Sequence, residues 1–307
     1  MSVFADRGPI AAMLPDGRRL HLHHGPIDLI IMAEGESKEV SVAYRQAIKS
    51  FEHVLSDLVG ELDLLRQRTR IGNLPKGRVA KRMWRATHPK VFNVFVTPMA
   101  AVAGAVADDI LAAMCEGRNL TRAYVNNGGD IAVHVGSNES FHVAVCTNTV
   151  SMATSGEIII SAEDEIGGVA TSGWCGRSHS LGIADAVTVL AESAASADAA
   201  ATMIANAVNL KNPKKITRKA ALEISSESDL GEREVTVGVA PLTKEEVEEA
   251  IGLGLELGNR LMSRTYIKAV FIYLQGMVGA ASRLKNGIMR DFQRTTFNAP
   301  SRLTPII

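Results

Sequence analysis

The stretch GGVATSGW at residues 167–174 opens a longer segment, residues 167–208, around which the rest of the chain is organised. Two glycines followed by apolar alternation predict a strand. Thr171, Ser172 and Gly173 end it with two hydroxyls and a residue whose missing side chain lets a ligand approach the backbone. The apolar run AVTVL at 186–190 predicts a second, buried strand. A helix almost free of bulky side chains is predicted over 193–206, so its backbone can pack closely against a neighbour.

Two polar side chains on that helix suggest a metal site. Asp198 and Thr202 are four residues apart and therefore share one helix face. A carboxylate and a hydroxyl are the hard oxygen ligands that Mg²⁺ takes alongside water and substrate phosphates. The same spacing is also typical of the exposed face of an alanine-rich helix, and the residues alone leave both interpretations open.

A similar strand–turn–strand pattern lies upstream, at residues 124–133. Its turn is Gly128-Gly129-Asp130, preceded by Asn127. The order GGD, then TSG at 171–173, then VTV at 187–189 and an AD-x-x-x-T helix ending at Thr202 resembles the ApbE family, the FAD:protein FMN transferases. The resemblance covers roughly residues 97–208, and the chain looks more similar to the shorter UPF-type branch of that superfamily.

This resemblance implies an ApbE-like fold, a flavin or related pyrophosphate ligand, and Mg²⁺-dependent transfer of FMN from FAD to a protein acceptor. It implies two groups of cofactor-binding residues, which are Asn127, Gly128, Gly129 and Asp130 in the upstream turn, and Thr171, Ser172 and Gly173 downstream. It also implies that Asp198 and Thr202 hold the metal.

Two positions depart from the family pattern. The family begins one helix with A-K-G-x-x-x-D, whereas this chain reads AGAVAD at 103–108, with Ala103 in place of the lysine. Between TSG and VTV the transferases carry a long insert with an H-x-x-D-P-x-x-G motif, where this chain has only residues 174–186. These differences favour a second hypothesis, a non-transferase protein on the same fold that binds a flavin or nucleotide or assists a partner enzyme.

His179, in the short segment 174–186, is the candidate general base because the ordinary pKa of histidine lies near neutrality. Asp130 and Asp185 are second choices for that role. A third hypothesis is a different enzyme on this fold that uses Cys175, beside Arg177, as a low-pKa nucleophile. The alternative for Cys175 is an inert thiol.

Two further patterns could bind ligands. His21 and His23 point to the same face of a predicted strand and could hold a metal. No third ligand follows at a helpful spacing, which favours an exposed strand face instead. Residues 69–90 are polar and basic and could hold phosphates by charge-assisted contacts, or they could form a solvated loop or short helix.

Lys+Arg and Asp+Glu both number 33 in the 307 residues, so no global field attracts nucleic acid or an anionic membrane. Three cysteines without paired spacing indicate a reducing compartment. Residues 1–15 carry charges and an early proline rather than the apolar run of a signal peptide. The longest apolar run, near 269–281, is shorter than the ~20 residues that a membrane helix needs. We therefore expect a cytoplasmic protein without nucleic-acid or membrane partners.

The whole chain, residues 1–307, is predicted to be one α+β domain, a sandwich of mainly antiparallel sheet with packed helices, because strands joined by tight turns replace regular strand–helix alternation. Residues 18–32 predict a hairpin, residues 37–66 one long amphipathic helix, and residues 121–146 a three-strand meander. Residues 1–16 are expected to form an N-terminal arm. Residues from about 283 to 307 are expected to form a C-terminal extension that docks on the body or on a second copy, which leaves a homodimer open.

Overall fold

The computed structural model describes residues 8–148, 153–176, 178–211, 213–284 and 289–290. Its contacts group the chain into two compact units. The first unit comprises the chain up to Ser140 together with Ser161–Ala170 and Glu192–Asp198, and the second comprises the remainder. The predicted C-terminal extension lies almost entirely outside the described residues.

The described residues form fourteen strands. In chain order they are β1 (Ile10–Met13), β2 (Leu20–His24), β3 (Ile27–Gly35), β4 (Leu120–Asn127), β5 (Asp130–Val135), β6 (Ser140–Asn148), β7 (Ala153–Ser161), β8 (Gly168–Ser172), β9 (Ala186–Ala191), β10 (Ile216–Ala220), β11 (Glu234–Val239), β12 (Ala269–Leu274), β13 (Met277–Ser282) and β14 (Met289–Arg290).

Eight α-helices are present in the same part of the chain. They are α1 (Ser37–Phe51), α2 (Val54–Gly60), α3 (Leu62–Leu65), α4 (Arg78–Ala86), α5 (Val102–Cys115), α6 (Ala194–Ala207), α7 (Ala221–Ile224) and α8 (Lys244–Ser263). Short 3₁₀ helices cover Pro98–Ala101, Ala162–Asp164 and Pro213–Lys215.

The first unit is built on one antiparallel sheet with the strand order β1-β2-β3-β4-β5-β8. In the second unit β12 lies between β9 and β13, β10 pairs with β11, and β7 lies between β14 and β6. Every described strand pair with a defined register is antiparallel. The predicted α+β class, with mainly antiparallel sheet and packed helices, is confirmed.

The predicted hairpin at residues 18–32 is present as β2 and β3, although β3 runs on to Gly35. Part of the predicted N-terminal arm also belongs to the sheet, because Ile10–Met13 forms β1 and pairs with β2. All four β1 residues are exposed, and the strand is short. A short exposed run without polar alternation carries no strand signal, which explains the missed element.

The amphipathic segment 37–66 is three helices rather than the single long helix that its periodicity predicts. Val54, Leu58 and Leu65 remain buried across the breaks, so the apolar period continues where the hydrogen-bonded helix does not. Glu61 leaves helical geometry between α2 and α3, and its carboxylate accepts two backbone N–H groups at the start of α4. Hydrophobic spacing cannot reveal such a break.

The predicted three-strand meander is correct for its first two strands only. β4 and β5 form a hairpin, but β5 next pairs with β8, while β6 belongs to the sheet with β7. The His134 Nε2 atom lies 3.2 Å from the carbonyl oxygen of Leu120. The sequence pattern predicts the strands of the meander, but it does not specify which strand pairs with which.

In the second unit α8 begins with a capping box. The Thr243 hydroxyl accepts the Glu246 N–H, and the Glu246 carboxylate accepts the Thr243 N–H. Gly254 lets α8 approach β12, because a Cβ at this position would fall within 3.0 Å of the Ile272 side chain. The apolar run near 269–281 is the β12–β13 hairpin.

One helical segment among the described residues, Pro98–Cys115, is long and apolar enough to cross a membrane by length and composition. It is also the core helix of the first unit, where α5 packs against α1, α4, β4 and β5. Ala105, Val106 and Ile110 are fully buried there. A buried core helix satisfies the same criterion. A 3₁₀ turn at Pro98–Ala101 precedes α5, with Thr97 at its N-cap position and no capping hydrogen bond from the Thr97 side chain.

Candidate functional site

The β4–β5 turn carries four of the predicted cofactor-binding residues in the first unit. Asn127 pairs with Asp130 at the end of the hairpin, and Gly128 and Gly129 form the turn with φ angles of 66° and 113°. Positive φ at both positions is the geometry of the tight hairpin turn that glycine favours. A Cβ on Gly129 would meet no other atom within 4 Å, so this side of the turn is open.

The N-terminal end of α5 lies against this turn. The Asn127 side-chain amide donates to the carbonyl oxygen of Ala103, with Nδ2 and O 3.1 Å apart. Asp198, on α6, accepts the Gly104 N–H at 3.0 Å through its Oδ2 atom. The turn, the first residues of α5 and the Asp198 carboxylate are therefore neighbours. Sequence reasoning predicted the turn and Asp198, and the structure brings these two parts together.

The N-terminal ends of α5 and α6 hold each other through a reciprocal pair of carboxylates. Asp108 of α5 accepts the N–H groups of Ala194 and Ala195 at 2.9 Å each, while Asp198 of α6 accepts the Gly104 N–H of α5. Unpaired N–H groups at a helix start favour such anionic partners. A Cβ on Gly104 would overlap the Ala194 backbone, so only glycine permits this crossing. The position of the Asp198 carboxylate is thus fixed from both helices.

Electrostatics make Asp198 an unusual carboxylate. Burial raises the pKa of Asp198 well above its ordinary range, and the nearby Asp130 carboxylate raises it further, against the opposing effect of the Gly104 and Ala103 N–H groups. The pKa of Asp108 is raised to about 6, again mainly by burial. Because the Asp130 carboxylate acts on the buried Asp198 carboxylate, a cation bound near both would offset their repulsion.

Most of helix α6 is buried, and a few of its side chains are partly exposed. The alanines at 197 and 199–201 are 0% exposed, whereas Asp198 and Thr202 are only half-buried. The helix is therefore not an alanine-rich surface helix, which was the alternative explanation of the Asp198–Thr202 spacing. Asp198 and Thr202 are both partly exposed on one face of α6, and metal binding there stays a prediction.

Other metal sites are poorly supported. Among the described residues no group of three or more His, Cys, Asp or Glu side chains is placed to hold an ion. The ring of His21 lies against the Asp28 carboxylate, with Nε2 and Oδ1 2.9 Å apart, and its centroid is 6.2 Å from that of His23. This arrangement agrees with the exposed strand face favoured for the His-x-His pattern.

The downstream cofactor-binding residues lie in the second unit. The Thr171 and Thr188 hydroxyls form a hydrogen bond at 2.9 Å. Gly173 leaves room for protein backbone rather than open space, because a Cβ there would overlap the carbonyl group of Asp185. The glycine is thus explained by packing, and ligand binding by Thr171, Ser172 and Gly173 stays a prediction.

Asp185, a second choice for the base, accepts hydrogen bonds from two separate segments of the second unit. Its Oδ1 atom accepts the Trp174 indole N–H at 3.1 Å, and its Oδ2 atom accepts the Gln275 N–H at 2.7 Å. The carboxylate therefore ties the loop after β8 to the β12–β13 turn. Both oxygens are engaged by the fold, which leaves Asp185 a poor candidate for proton transfer.

His179 lies half-buried in the same loop, just before a tightly anchored segment. The Leu181 N–H and the Ser180 hydroxyl both donate to the Asn206 side chain, at 2.8 and 3.2 Å. Gly182 packs so closely on α6 that a Cβ would overlap the carbonyl oxygen of Ala205. The anchored segment limits where His179 can move, and its role as a base stays a prediction.

The surroundings of the Cys175 thiol raise its pKa, whereas an activated nucleophile needs a lowered pKa. Burial and then the neighbouring Asp185 carboxylate raise the pKa of Cys175 to about 11. Arg177, whose charge was expected to lower that pKa, lies outside the described residues. The raised pKa favours an inert Cys175 thiol over the nucleophile of the third hypothesis.

The basic segment 69–90 contains α4, and two of its cations are already engaged. Arg78 and Arg82 approach the carboxylate of Asp109 at 3.0 and 3.5 Å, and that carboxylate side chain is 4% exposed. These arginines neutralise a buried charge in the first unit. Phosphate binding by the remaining cations of the segment stays a prediction.

Sequence reasoning missed one functional candidate, Asp108. Its position was visible, because it is the aspartate of the family's A-K-G-x-x-x-D pattern, present in this chain as AGAVAD. Its work as a cap for another helix depends on a partner far along the chain. Local spacing contains no signal for such a long-range contact.

Comparison with known proteins places the chain in a family. The family model described as AbpE bacteria matches residues 11–281. A UPF0280 protein of Methanopyrus kandleri is 40% identical over 161 residues, which are 52% of this chain and 61% of that protein. A UPF0280 protein of Methanothrix thermoacetophila is 36% identical over 157 residues, 51% of this chain and 62% of its own length. The match therefore spans less than two thirds of either relative.

Among solved structures, the ApbE protein of Thermotoga maritima aligns with 94% of this chain and 99% of its own, at a TM-score of 0.44 and 12% identity. The flavin transferase ApbE from Vibrio cholerae aligns with 92% of this chain and 96% of its own, at 0.42 and 12%. The family match extends well beyond the motifs that first carried the resemblance. The chain therefore belongs to the ApbE-like family described as AbpE bacteria, in its UPF0280 branch.

Proposed function

We propose that this protein binds a flavin dinucleotide together with Mg²⁺ and transfers FMN from FAD to a hydroxyl group of a protein acceptor. One observation carries the proposal: the open Asn127–Asp130 turn, the N-terminal end of α5 and the Asp198 carboxylate meet in the first unit. Backbone N–H groups at a helix start suit phosphates, and the carboxylates suit a divalent cation.

The residues available fit Mg²⁺ better than a softer metal. Asp198 and Asp130 offer carboxylate oxygens, and Thr202 offers a hydroxyl on the same face of α6 as Asp198. Hard oxygen donors of this kind, too few to surround an ion, leave positions for water and for substrate phosphates. Metal binding is therefore expected to need a phosphate-bearing ligand.

The proposed transfer exchanges one phosphate bond for another. The acceptor hydroxyl oxygen attacks the phosphorus on the FMN side of FAD, the bond to the bridging oxygen breaks, and AMP leaves. His179 is the proposed acceptor of the hydroxyl proton. Asn127 would help to hold the Asn127–Asp130 turn through its hydrogen bond to Ala103. Bound Mg²⁺ supplies charge neutralisation at the pyrophosphate.

A second candidate is a flavin-binding or partner-assisting protein that does not catalyse the transfer. One feature favours it: Ala103 stands where the transferases carry a lysine, and its backbone carbonyl is engaged by Asn127. No cation is then supplied to the pyrophosphate from this position. The two candidates share a ligand and differ in whether a product forms.

Isothermal titration calorimetry tests the shared ligand. FAD and Mg²⁺ are titrated separately and together into the native chain, into Asp198→Asn, and into Asp63→Asn as a control at an exposed carboxylate of α3. We expect heat only for the pair, at least tenfold weaker affinity in Asp198→Asn, and no change in Asp63→Asn. Tight binding that survives Asp198→Asn would remove this carboxylate from the site.

Intact-protein mass spectrometry then separates the two candidates. The chain is incubated with FAD, Mg²⁺ and a threonine-bearing acceptor peptide, and the peptide is examined for an added FMN. A modified peptide with the native chain but not with Asp198→Asn supports the transferase. Flavin binding without any modified peptide supports the second candidate.

A further inference from the structure

The first unit carries a long stretch without negative charge. From Leu64 to Ala107 the sequence has no Asp or Glu, although the chain as a whole is neutral. The same stretch contains Arg66, Arg68, Arg70, Lys76, Arg78, Lys81, Arg82, Arg85 and Lys90. The equal totals of acidic and basic residues therefore conceal a strongly uneven distribution.

Part of this charge is available to a partner. Arg78 and Arg82 serve the buried Asp109. Among the described residues no ion pair engages a set that we call the cationic rim: Arg70, Lys76, Lys81 and Arg85. Lys81 is half-buried, and the other three are exposed.

Large aliphatic side chains project beside these cations. Ile71 is 70% exposed and Leu74 is 53% exposed, and these two residues form what we call the apolar tip. Gly72, between them, has a φ of 98° and open space where a side chain would be. Val94, which is 53% exposed, lies two residues before Val96, whose carbonyl oxygen accepts the Thr69 N–H. The apolar tip is thus exposed on an open loop.

Hydrogen bonds brace the loop that carries the tip. The Thr69 N–H donates to the carbonyl oxygen of Val96 at 2.9 Å, and the Trp84 indole donates to that of Arg70 at 3.2 Å. At the other end, Glu61 accepts the Lys76 N–H at 2.7 Å. These bonds join the loop to α4 and to the segment before α5. The exposure of its aliphatic side chains is therefore built into the fold.

We propose that the apolar tip and the cationic rim dock on the surface of an anionic lipid bilayer. Exposed aliphatic side chains on a braced loop can enter the acyl boundary, while nearby Lys and Arg side chains attract anionic headgroups. Three carboxylates lie nearby: Asp109 is paired with Arg78 and Arg82, Glu61 accepts the Lys76 N–H group, and Asp57 is exposed beside Gly77 and Arg78. The equal totals of acidic and basic residues predicted no membrane partner, whereas the local excess of basic residues favours an anionic membrane.

Vesicle flotation tests the proposal without any flavin. The native chain is mixed with vesicles of phosphatidylcholine alone or with vesicles in which about one third of the lipid is phosphatidylglycerol, which is anionic. We expect flotation only with the anionic vesicles and its loss at high salt. Ile71→Ser with Leu74→Ser should abolish it. Each neutralised rim cation should weaken binding about fivefold.

Matched variants keep the test decisive. Leu253→Ser with Lys219→Ser removes a 45%-exposed leucine and an exposed lysine from the second unit, and should float like the native chain. Circular dichroism establishes that each variant is folded. Equal flotation of the tip variant and the native chain overturns the proposal. The proposal is also overturned if the native chain does not float with anionic vesicles but binds polyglutamate. That result would point to an acidic protein partner instead.

Discussion

The Asn127–Asp130 turn of the first unit and residues 171–173, at the end of β8 in the second unit, have similar sequences, since each places glycine and small polar residues at a strand end. In the Asn127–Asp130 turn, the glycines serve the turn's own backbone, and one side of the turn stays open. At residues 171–173, Gly173 makes room for the Asp185 backbone, and the Thr171 hydroxyl bonds to Thr188. A small-residue motif therefore reports close approach without saying whether a ligand or the protein is what approaches.

The largest expected effect concerns Gly168, which lets β8 approach the start of α6 in the first unit. A Cβ there would overlap the Ala194 backbone, so Gly168→Ala should lower the free energy of unfolding by about 3 kcal/mol or prevent folding. Gly252→Ala in α8 is the matched control, because no atom lies within 4 Å of its Cβ. That change should be neutral or stabilise by up to about 1 kcal/mol. Urea denaturation measures both, and coincident curves would contradict the packing argument.

The next effect is a pH dependence that originates at Asp108. Its folded-state pKa of about 6 exceeds the ordinary value of 3.8, so the folded chain holds the proton more tightly than the unfolded chain. The stability due to this group is therefore fully present below about pH 4 and is lost as the pH rises to about 6. Two pKa units correspond to about 3 kcal/mol.

Asp108→Asn isolates this effect, because the amide does not titrate. We expect the unfolding free energy of the native chain to fall by about 3 kcal/mol relative to that of Asp108→Asn between pH 4 and pH 7. Asp63→Asn, at an exposed carboxylate, should follow the native curve through that window. Parallel native and Asp108→Asn curves would mean that the two α6 N–H groups outweigh burial at this carboxylate.

Much of the fold could be predicted from local pattern. The strands that flank the Asn127–Asp130 turn, the strands β8 and β9, and the small-residue helix α6 lie where the sequence indicated them. The errors share one cause, which is that partners are set at long range. The broken helix at 37–66 keeps its apolar period, and the meander loses β6 to another sheet although its turns are correct.

The candidate site shows the same limit. The sequence indicated Asp198 and the turn at Asp130 through motif order, and the structure makes them neighbours. It did not indicate that Asp108 caps α6, or that Asp185 is occupied by Trp174 and Gln275. A carboxylate has the same appearance in a sequence whether it awaits a ligand or is engaged by a distant N–H group.

Asp185→Ala sharpens the contrast between the two regions. It leaves the Trp174 indole and the Gln275 N–H without their acceptor, so we expect a loss of about 2 kcal/mol in the free energy of unfolding. FAD affinity measured by calorimetry should stay within threefold of native, in contrast to Asp198→Asn. A variant with native stability but no transferase product would instead make Asp185 a catalytic residue.

The smallest expected effect is at Thr171, where the fold and the cofactor compete for one hydroxyl. Thr171→Val keeps the shape of the side chain and removes its hydrogen bond to Thr188, which is 3% exposed. The Thr188 hydroxyl then lacks its hydrogen-bond partner, which should lower the free energy of unfolding by about 1 kcal/mol. Adding Thr188→Val should recover most of that loss, because two apolar groups of the same shape leave no hydroxyl unpaired. FAD titration of Thr171→Val and of the double variant, with the native chain as reference, decides the ligand question. We expect Kd changes below threefold in both of them, since the hydroxyl is already bonded within the second unit. An FAD affinity that falls tenfold in Thr171→Val and stays low in the double variant would show that the hydroxyl serves the cofactor, and the two regions would then work alike.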